Sequence, residues 1–303
     1  MNNLHGILLV IASMAFFTLE DMFIKRLSGS LPVGQILMLL GMICALVFAL
    51  LAKSQRAALF APAAWQVKPV MRAATEMVSA MAFATALARV EISTVAAVFQ
   101  ATPLVITMGA ALFLGEDVGW RRWLAICTGF AGVLLIIRPG LDGFEPAALL
   151  VVIAVLGVAA RDLLTRTMNS AVPSSVVSFQ AYITLIPAGA LLLAFTPGDA
   201  QMLEGVEWGM LLGGSLFGVL GYYGIVVAMR VGDAAAVTPF RYTRLLFSIL
   251  VGVVVFGERP DALTLAGAAL IIGSGLYTFV REQRLARQAR RRAAQLQAGR
   301  ATA

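Results

Sequence analysis

Long apolar runs separated by short polar connections make up nearly all of this sequence. Each run has the length that an α-helix needs to cross the hydrocarbon core of a bilayer, about 20 residues. Segments of strictly alternating polarity are absent, so the pattern predicts a helical bundle rather than a β-barrel. The ten predicted spans are approximately 4–27, 33–52, 67–88, 92–114, 121–138, 147–166, 174–195, 207–229, 234–256 and 261–281.

The connections are too short to hold an inserted soluble domain, and they carry turn residues, as in Ser28–Pro32 and Arg138–Gly140. The first apolar run could be mistaken for a signal peptide. It has no basic segment in front of it, and Glu20 and Asp21 follow within the same helical pattern. We therefore predict that it is the retained first span.

One stretch of the ninth span, Val237–Phe247, carries two arginines in an otherwise apolar segment. Arg241 and Arg244 are separated by about one helical turn, so we expect them to share a face. An arginine at the middle of a bilayer costs about 2.5 to 3.5 kcal/mol even on the lowest scale. The two side chains therefore need a polar cavity or acidic partners inside the protein.

Composition agrees with a membrane protein. Hydrophobic residues make up 60% of the chain and charged residues 13%, whereas a soluble domain has about 25% charged residues. The mean hydropathy is +0.89. Cys44 and Cys127 both lie in apolar runs and are predicted to be buried thiols, and His5 is the only histidine. We expect no disulfide, metal site or cofactor.

The basic residues predict the orientation in the membrane. With ten spans both termini lie on one side, and placing the arginine-rich tail in the cytoplasm puts most basic loops there as well. We therefore predict a multi-pass protein of the cytoplasmic (inner) membrane with both termini inside. The tail, residues 282–303, has no folded or aromatic platform, so its charge is expected to face water or membrane lipids and not nucleic acid.

The two halves of the chain repeat each other at a spacing of 141 or 142 residues. The segment 20–25 corresponds to 161–166, and 113–116 corresponds to 255–258. Each half, 4–138 or 147–281, holds five predicted spans. An odd number of spans means that the second half enters the membrane inverted, which is typical of carriers that work by alternating access.

The runs Gln100–Leu104, Leu112–Glu116 and Gly129–Leu135 resemble the first EamA-type repeat of the drug/metabolite transporter superfamily. The run Pro239–Arg244, together with Phe256–Glu258, resembles the second repeat. The resemblance covers the whole chain except the tail. It implies an all-α carrier of ten transmembrane helices, arranged as two inverted five-helix repeats around a central cavity. Members of this superfamily move amino acids, other small metabolites, vitamins or drugs.

Few residues inside the spans are ionisable. Glu20 and Glu76 are the nearest candidate counter-charges for Arg241 and Arg244. In one interpretation Glu20, Asp21 and Glu76 only neutralise the two arginines, and this buried charge network fixes the packing. In the other, one arginine binds a polar or anionic substrate group and the other stays paired with Glu76 or Glu20. Arg72 is expected to snorkel from the end of its span.

Other residues complete the predicted substrate-binding set. Gln100 lies in the fourth span close to Pro103. Phe17 and Tyr242, like Tyr182, Tyr222 and Tyr223, are aromatic residues that could stack on a ring-bearing substrate. Pro103 and Pro239 are expected to bend their helices. Glu116 and Glu258 follow glycines at the ends of spans and are interpreted as cap or turn residues.

The sequence favours a secondary transporter for a small polar organic metabolite, such as an amino-acid-like compound. A carrier of a ring-bearing vitamin or nucleobase is the alternative of the same class. A membrane enzyme acting on lipid and a selective pore are alternatives of other classes. No catalytic residues are predicted, and coupling to protons or to an exchanged substrate stays open, in a monomer or a homodimer.

Overall fold

The computed structural model describes residues 3–116, 118–141, 144–167, 173–196, 199–231 and 237–301. These residues form ten long helices, a short 3-10 helix at Pro62–Trp65, and no strand. The ten helices match the predicted spans closely. They are α1 Asn3–Leu27, α2 Val33–Ser54, α3 Val67–Arg89, α4 Ile92–Phe113, α5 Trp120–Ile137, α6 Ala148–Arg166, α7 Ser174–Phe195, α8 Gly205–Val231, α9 Thr238–Phe256 and α10 Ala262–Ala301.

Nine of these ten described helices are long and apolar enough to cross a membrane, and α3 is the exception. Helix α3 has 23 residues, as many as its neighbours, but it carries four charged side chains. Two of them, Arg72 and Glu76, contact α6 inside the protein. The charges of α3 are therefore compatible with a helix that crosses the membrane among other helices.

Helix α10 extends further than the apolar pattern predicts. Its apolar part ends near Arg281, yet the helix continues through the tail to Ala301. The tail is rich in alanine, arginine and glutamine, which are good helix formers, and contains no proline. The side chains from residue 285 onward lie outside the described residues. The predicted contacts of the tail arginines with water or lipid therefore fall outside them as well.

Helices α4 and α9 are interrupted where the sequence places prolines. Helix α4 breaks at Gln100–Ala101, just before Pro103, and α9 begins with a 3-10 segment, Thr238–Tyr242, that contains Pro239. The Gln100 side chain donates a hydrogen bond of 3.3 Å to the Arg241 carbonyl. Since residues 100 and 241 are equivalent in the repeat, this contact lies close to the axis that relates the two halves.

Equivalent helices of the two halves pack antiparallel. On α2, Gly34 lies against Gly189 of α7, and Gly41 further along lies against Tyr182, which comes earlier in α7. A side-chain carbon at Gly34 would lie 2.5 Å from the Gly189 carbonyl oxygen, so this crossing requires glycine. The pair α5 and α10 runs in opposite directions as well. The halves are therefore inverted, as predicted.

The remaining contacts follow the same symmetry. Helix α1 packs on α8 and, equivalently, α6 packs on α3; helix α1 also contacts α9, as α6 contacts α4. The largest cluster of buried apolar residues includes side chains of both halves, such as Leu87, Ile92 and Ile271. Large apolar side chains on the outer surface, such as Leu46 and Leu250, are exposed as expected for contact with lipid. Cys127 is exposed as well, so the prediction of a buried thiol is wrong for Cys127, whereas Cys44 is buried.

A candidate binding cavity between the two halves

A cavity of about 210 Å³ lies between the two halves. It is bounded by eight of the ten helices, all except α5 and α10. It combines aromatic rings with carboxylates and one arginine, which is the usual composition of a small-molecule site. The lining residues are Phe17, Glu20, Asp21, Ile24, Leu37, Glu76, Ser79, Ala80, Phe83, Ala84, Phe99, Val158, Ala181, Tyr182, Leu185, Tyr222 and Arg244.

Arg244 is the cation of this cavity, and Asp21 is its partner. Arg244 Nη2 donates a hydrogen bond of 2.6 Å to Asp21 Oδ2, and the two side chains are 16% and 6% exposed. The guanidinium group also lies between 5.3 and 5.5 Å from the ring centres of Phe17, Phe83 and Phe99. Three rings and a carboxylate thus hold the charge away from lipid.

Glu20 lies next to Asp21 in sequence but in different surroundings. It lines the cavity and is half-buried. Its carboxylate rests against Gly218 of α8, where a side-chain carbon would lie 2.8 Å from Glu20 Cδ. Among the described residues no lysine or arginine forms a salt bridge with Glu20. This carboxylate can therefore accept hydrogen bonds or a positive charge from a ligand.

Glu76 belongs to a charge network between α3 and α6. Its carboxylate lies 2.8 Å from Arg161 Nη1 and 3.5 Å from Arg72 Nη2. Arg161 also pairs with Asp162 at 2.8 Å, and Arg72 Nε donates to the Thr165 hydroxyl at 3.1 Å. Arg72 is only 4% exposed, so the prediction that it snorkels to the membrane surface is wrong. Glu76 draws it into the protein.

The predicted site residues divide into two groups. Phe17, Glu20, Glu76 and Arg244 line the cavity together. The remaining three, Gln100, Arg241 and Tyr242, are not among its lining residues.

Each of these three has another environment. Gln100 is buried and binds the Arg241 carbonyl. The Arg241 side chain is exposed, within electrostatic range of Asp162 and Arg161. The Tyr242 hydroxyl lies against Gly275 of α10. Binding of substrate by these three residues stays a prediction.

The prediction that an arginine of the ninth span pairs with Glu20 or Glu76 is wrong for Arg244. It pairs with Asp21, the third acidic residue considered as a neutralising partner, while Glu76 pairs with the arginines of α3 and α6. Arg241 and Arg244 are also separated in their surroundings, since the first lies in the 3-10 segment and is exposed while the second is in the following α-helix.

Phe83 and Phe99 are cavity residues that the sequence analysis did not select. Helical periodicity could have found one of them, since Phe83 lies seven residues after Glu76 and so on the same face of α3. Phe99 carries no comparable signal, because many apolar neighbours fit the same pattern.

A second cleft, of about 330 Å³, lies at the end of the molecule where α10 begins. Here Arg138, which closes α5 in a left-handed conformation, forms a salt bridge with Asp261 and donates to the Thr264 hydroxyl. The Arg138 guanidinium lowers the pKa of Asp261 to about 2. Burial, together with the charge of Glu258, raises the pKa of Glu91 in the same cleft.

The chain is similar to curated transporters over about two thirds of its length. It is 35% identical to the riboflavin transporter of Vibrio cholerae serotype O1 over 196 residues, which are 64% of each chain. It is 28% identical to the S-adenosylmethionine uptake transporter of Rickettsia felis over 196 residues, 64% of this chain and 65% of that protein. The alignments thus span slightly less than two thirds of these relatives.

Two further similarities cover nearly the whole chain, one in fold and one in family. A solved crystal structure aligns with 94% of this chain and 99% of its own length, with a TM-score of 0.62 and 18% identity, which is evidence for the fold alone. Residues 4–138 and 145–280 each match the sequence pattern of one transporter family, so both halves are covered. The chain belongs to the EamA-like transporter family.

Proposed function

We propose that this protein is a secondary transporter that carries a small organic metabolite through the cytoplasmic membrane by alternating access. The main support is the position of the cavity: it lies between two inverted halves and takes its walls from both. A cavity in this position is exposed to opposite sides when the halves change their relative arrangement. Membership of the EamA-like family agrees with this function.

The substrate we propose is a ring-bearing metabolite of the riboflavin type. Five aromatic residues line the cavity, namely Phe17, Phe83, Phe99, Tyr182 and Tyr222. Aromatic side chains provide flat surfaces for ring stacking, and the tyrosine hydroxyls and Glu20 provide hydrogen bonds. Arg244 is bound by Asp21, so a strongly anionic substrate group would have to displace that carboxylate. The relatives named riboflavin transporters support the same choice.

A cationic ring-bearing metabolite of the S-adenosylmethionine type is the second candidate. Glu20 favours it, because this carboxylate lines the cavity and forms no salt bridge within the described part of the chain. A positively charged ligand would supply the missing partner. The relatives named as S-adenosylmethionine uptake transporters agree with this candidate.

A counterflow assay tests the function and separates the two substrates. Purified protein in proteoliposomes preloaded with unlabelled riboflavin should accumulate labelled riboflavin faster than empty proteoliposomes. Excess S-adenosylmethionine should compete only if the second candidate is correct. A pore gives no such acceleration, and an enzyme gives no exchange. Accumulation of amino acids with no effect of either ring compound would overturn the substrate proposal.

A matched pair of variants locates binding in the cavity. Phe99→Ala removes a ring from the cavity wall and should weaken riboflavin exchange. Phe195→Ala removes a ring that is 84% exposed at the end of α7, so it should exchange at the wild-type rate. Equal rates in both variants would place the binding site elsewhere.

We further propose that both termini lie in the cytoplasm. The support is the distribution of basic residues, which concentrates Arg281, Arg284 and the rest of the tail on one side. A cysteine at Gln201, in the connection between α7 and α8, should react with an impermeant reagent added outside intact cells. A cysteine at Arg284 should not react. The opposite result would invert the proposed topology.

A further inference from the structure

Two turns of the molecule have the same backbone geometry and stand at equivalent positions of the repeat. Gly115 and Gly257 end α4 and α9 with φ values of 67° and 66°. The glutamate that follows each glycine donates its backbone N–H to the residue six positions earlier: Glu116 to Ala110 at 3.2 Å, Glu258 to Gly252 at 2.9 Å. Each helix end therefore places a glutamate at the same point of its own half.

The carboxylate of Glu258 closes the start of α4, a helix of the other half. It accepts hydrogen bonds from the backbone N–H groups of Ile92, at 2.6 Å, and Ser93, at 3.1 Å, and from the Ser93 hydroxyl at 2.6 Å. Glu258 is only 7% exposed. The first turn of a helix has unpaired N–H groups and a partial positive charge, so a carboxylate stabilises it.

Lys25 of α1 completes this contact. Its Nζ lies 3.8 Å from Glu258 Oε1 and donates hydrogen bonds to the carbonyls of Leu87, at 3.2 Å, and Val90. These carbonyls belong to the last turn of α3 and to its C-cap residue, where a cation is favoured. One ion pair thus joins the ends of α1 and α3 and the start of α4 to the turn between α9 and α10.

The equivalent glutamate of the first half is in a different environment. Glu116 is exposed, although its turn has the same backbone as that of Glu258. The two glutamates therefore follow the same turn, but only Glu258 is buried.

We propose that Glu258 and Lys25 form a latch that keeps the end away from the tail closed. This inference rests on the proposed transport function. When the halves rearrange, Glu258 leaves the start of α4 and becomes exposed, as Glu116 already is.

Accessibility of a cavity cysteine tests the latch without any substrate. The exposed native thiol is removed by Cys127→Ser, while the buried Cys44 stays. Ala80→Cys then places a single probe on the cavity wall. An impermeant maleimide is added on the membrane face away from the tail. Glu258→Gln should raise the labelling rate roughly tenfold, the change expected when about 1.4 kcal/mol of the charged contact is lost.

Three further variants make the result specific. Glu116→Gln neutralises the exposed glutamate of the equivalent turn and should leave the labelling rate unchanged. Glu145→Gln neutralises an exposed carboxylate of the neighbouring cleft and should have no effect. Ser93→Ala removes a single hydrogen bond and should give a smaller rise, which covers the case that Glu258→Gln fails to fold.

Two outcomes would overturn the latch. One is an unchanged labelling rate in folded Glu258→Gln and in Ser93→Ala, which would make Glu258 a static cap. The other is an equal rise in Glu116→Gln. Since labelling needs no transported compound, a failed riboflavin assay leaves this test intact, and a failed latch leaves the transport proposal intact.

Discussion

Arg244 of the second half donates a hydrogen bond of 2.6 Å to Asp21 of the first half across the central cavity. The two residues are 223 positions apart in sequence. The guanidinium group is also surrounded by the rings of Phe17, Phe83 and Phe99. Arg244, whose charge is too costly to expose to lipid, is thus bound by groups of the protein itself. Its contact with Asp21 joins the two halves.

Removal of Arg244 is expected to destabilise the protein, and removal of both partners should restore part of the loss. Arg244→Ala leaves the buried Asp21 carboxylate without its cation, which costs about 3 to 5 kcal/mol when a buried pair is broken from one side. The double variant with Asp21→Asn removes that penalty. Melting temperatures of the two single variants and the double variant in detergent measure the coupling.

Arg241 provides the matched control for this cycle. It lies on the same helix but its side chain is exposed. Arg241→Ala should therefore lower the melting temperature less than Arg244→Ala, since Arg241 forms no salt bridge with the described residues. Equal losses for Arg241→Ala and Arg244→Ala would show that the Asp21 contact carries no special weight.

The two cavity glutamates are expected to respond differently to neutralisation. Glu76→Gln takes the shared partner from Arg72 and Arg161, whose side chains are 5% and 17% exposed, and should lower stability by about 3 kcal/mol. Glu20→Gln breaks no salt bridge of the described residues, so it should keep the melting temperature and reduce counterflow. Comparison of melting and flux for the two variants checks this. An unchanged melting temperature of Glu76→Gln would show that this charge network does not stabilise the fold.

Much of the fold follows from local features of the sequence. The length of an apolar run sets the length of a helix, so the second span, predicted at 33–52, is found at Val33–Ser54. Pro103 and Pro239 remove backbone donors, and the helices break beside them. The repeat predicts the inverted halves, because five spans reverse the direction of the chain.

The charge pairs could not be assigned from sequence. Glu20 and Asp21 are adjacent, so their side chains leave α1 about 100° apart, and only the packing of α9 decides that Asp21 meets Arg244. From the sequence alone, several arginines could pair with Glu76. Only the packing of α6 against α3 places Arg161 within 2.8 Å of it. Such pairings depend on contacts between distant segments, and the charge pattern along one helix does not contain them.

The crossing of α2 and α7 should not tolerate a side chain at position 34. A methyl group at Gly34 would meet the Gly189 carbonyl oxygen at 2.5 Å and backbone N of Leu193 at 2.7 Å, so the helices would have to move apart. Gly34→Ala is therefore expected to lower the melting temperature and the yield of folded protein. Gly209→Ala in α8 has open space around it and should gain up to about 1 kcal/mol from helix propensity. Equal behaviour of the two variants would contradict the close approach.

The salt bridge between Arg138 and Asp261 should make stability sensitive to strong acid. The pKa of Asp261 falls from an ordinary value of 3.8 to about 2, chiefly because Arg138 donates a hydrogen bond to the carboxylate. A lowered pKa in the folded state means that the contribution is complete above the ordinary pKa and is lost as the pH falls through about 2. The contribution is small, because the Asp261 side chain is 49% exposed. Melting temperatures measured from pH 5 down to pH 2 should fall less in Asp261→Asn than in the wild type, and identical acid profiles would show that the ion pair adds nothing measurable to stability.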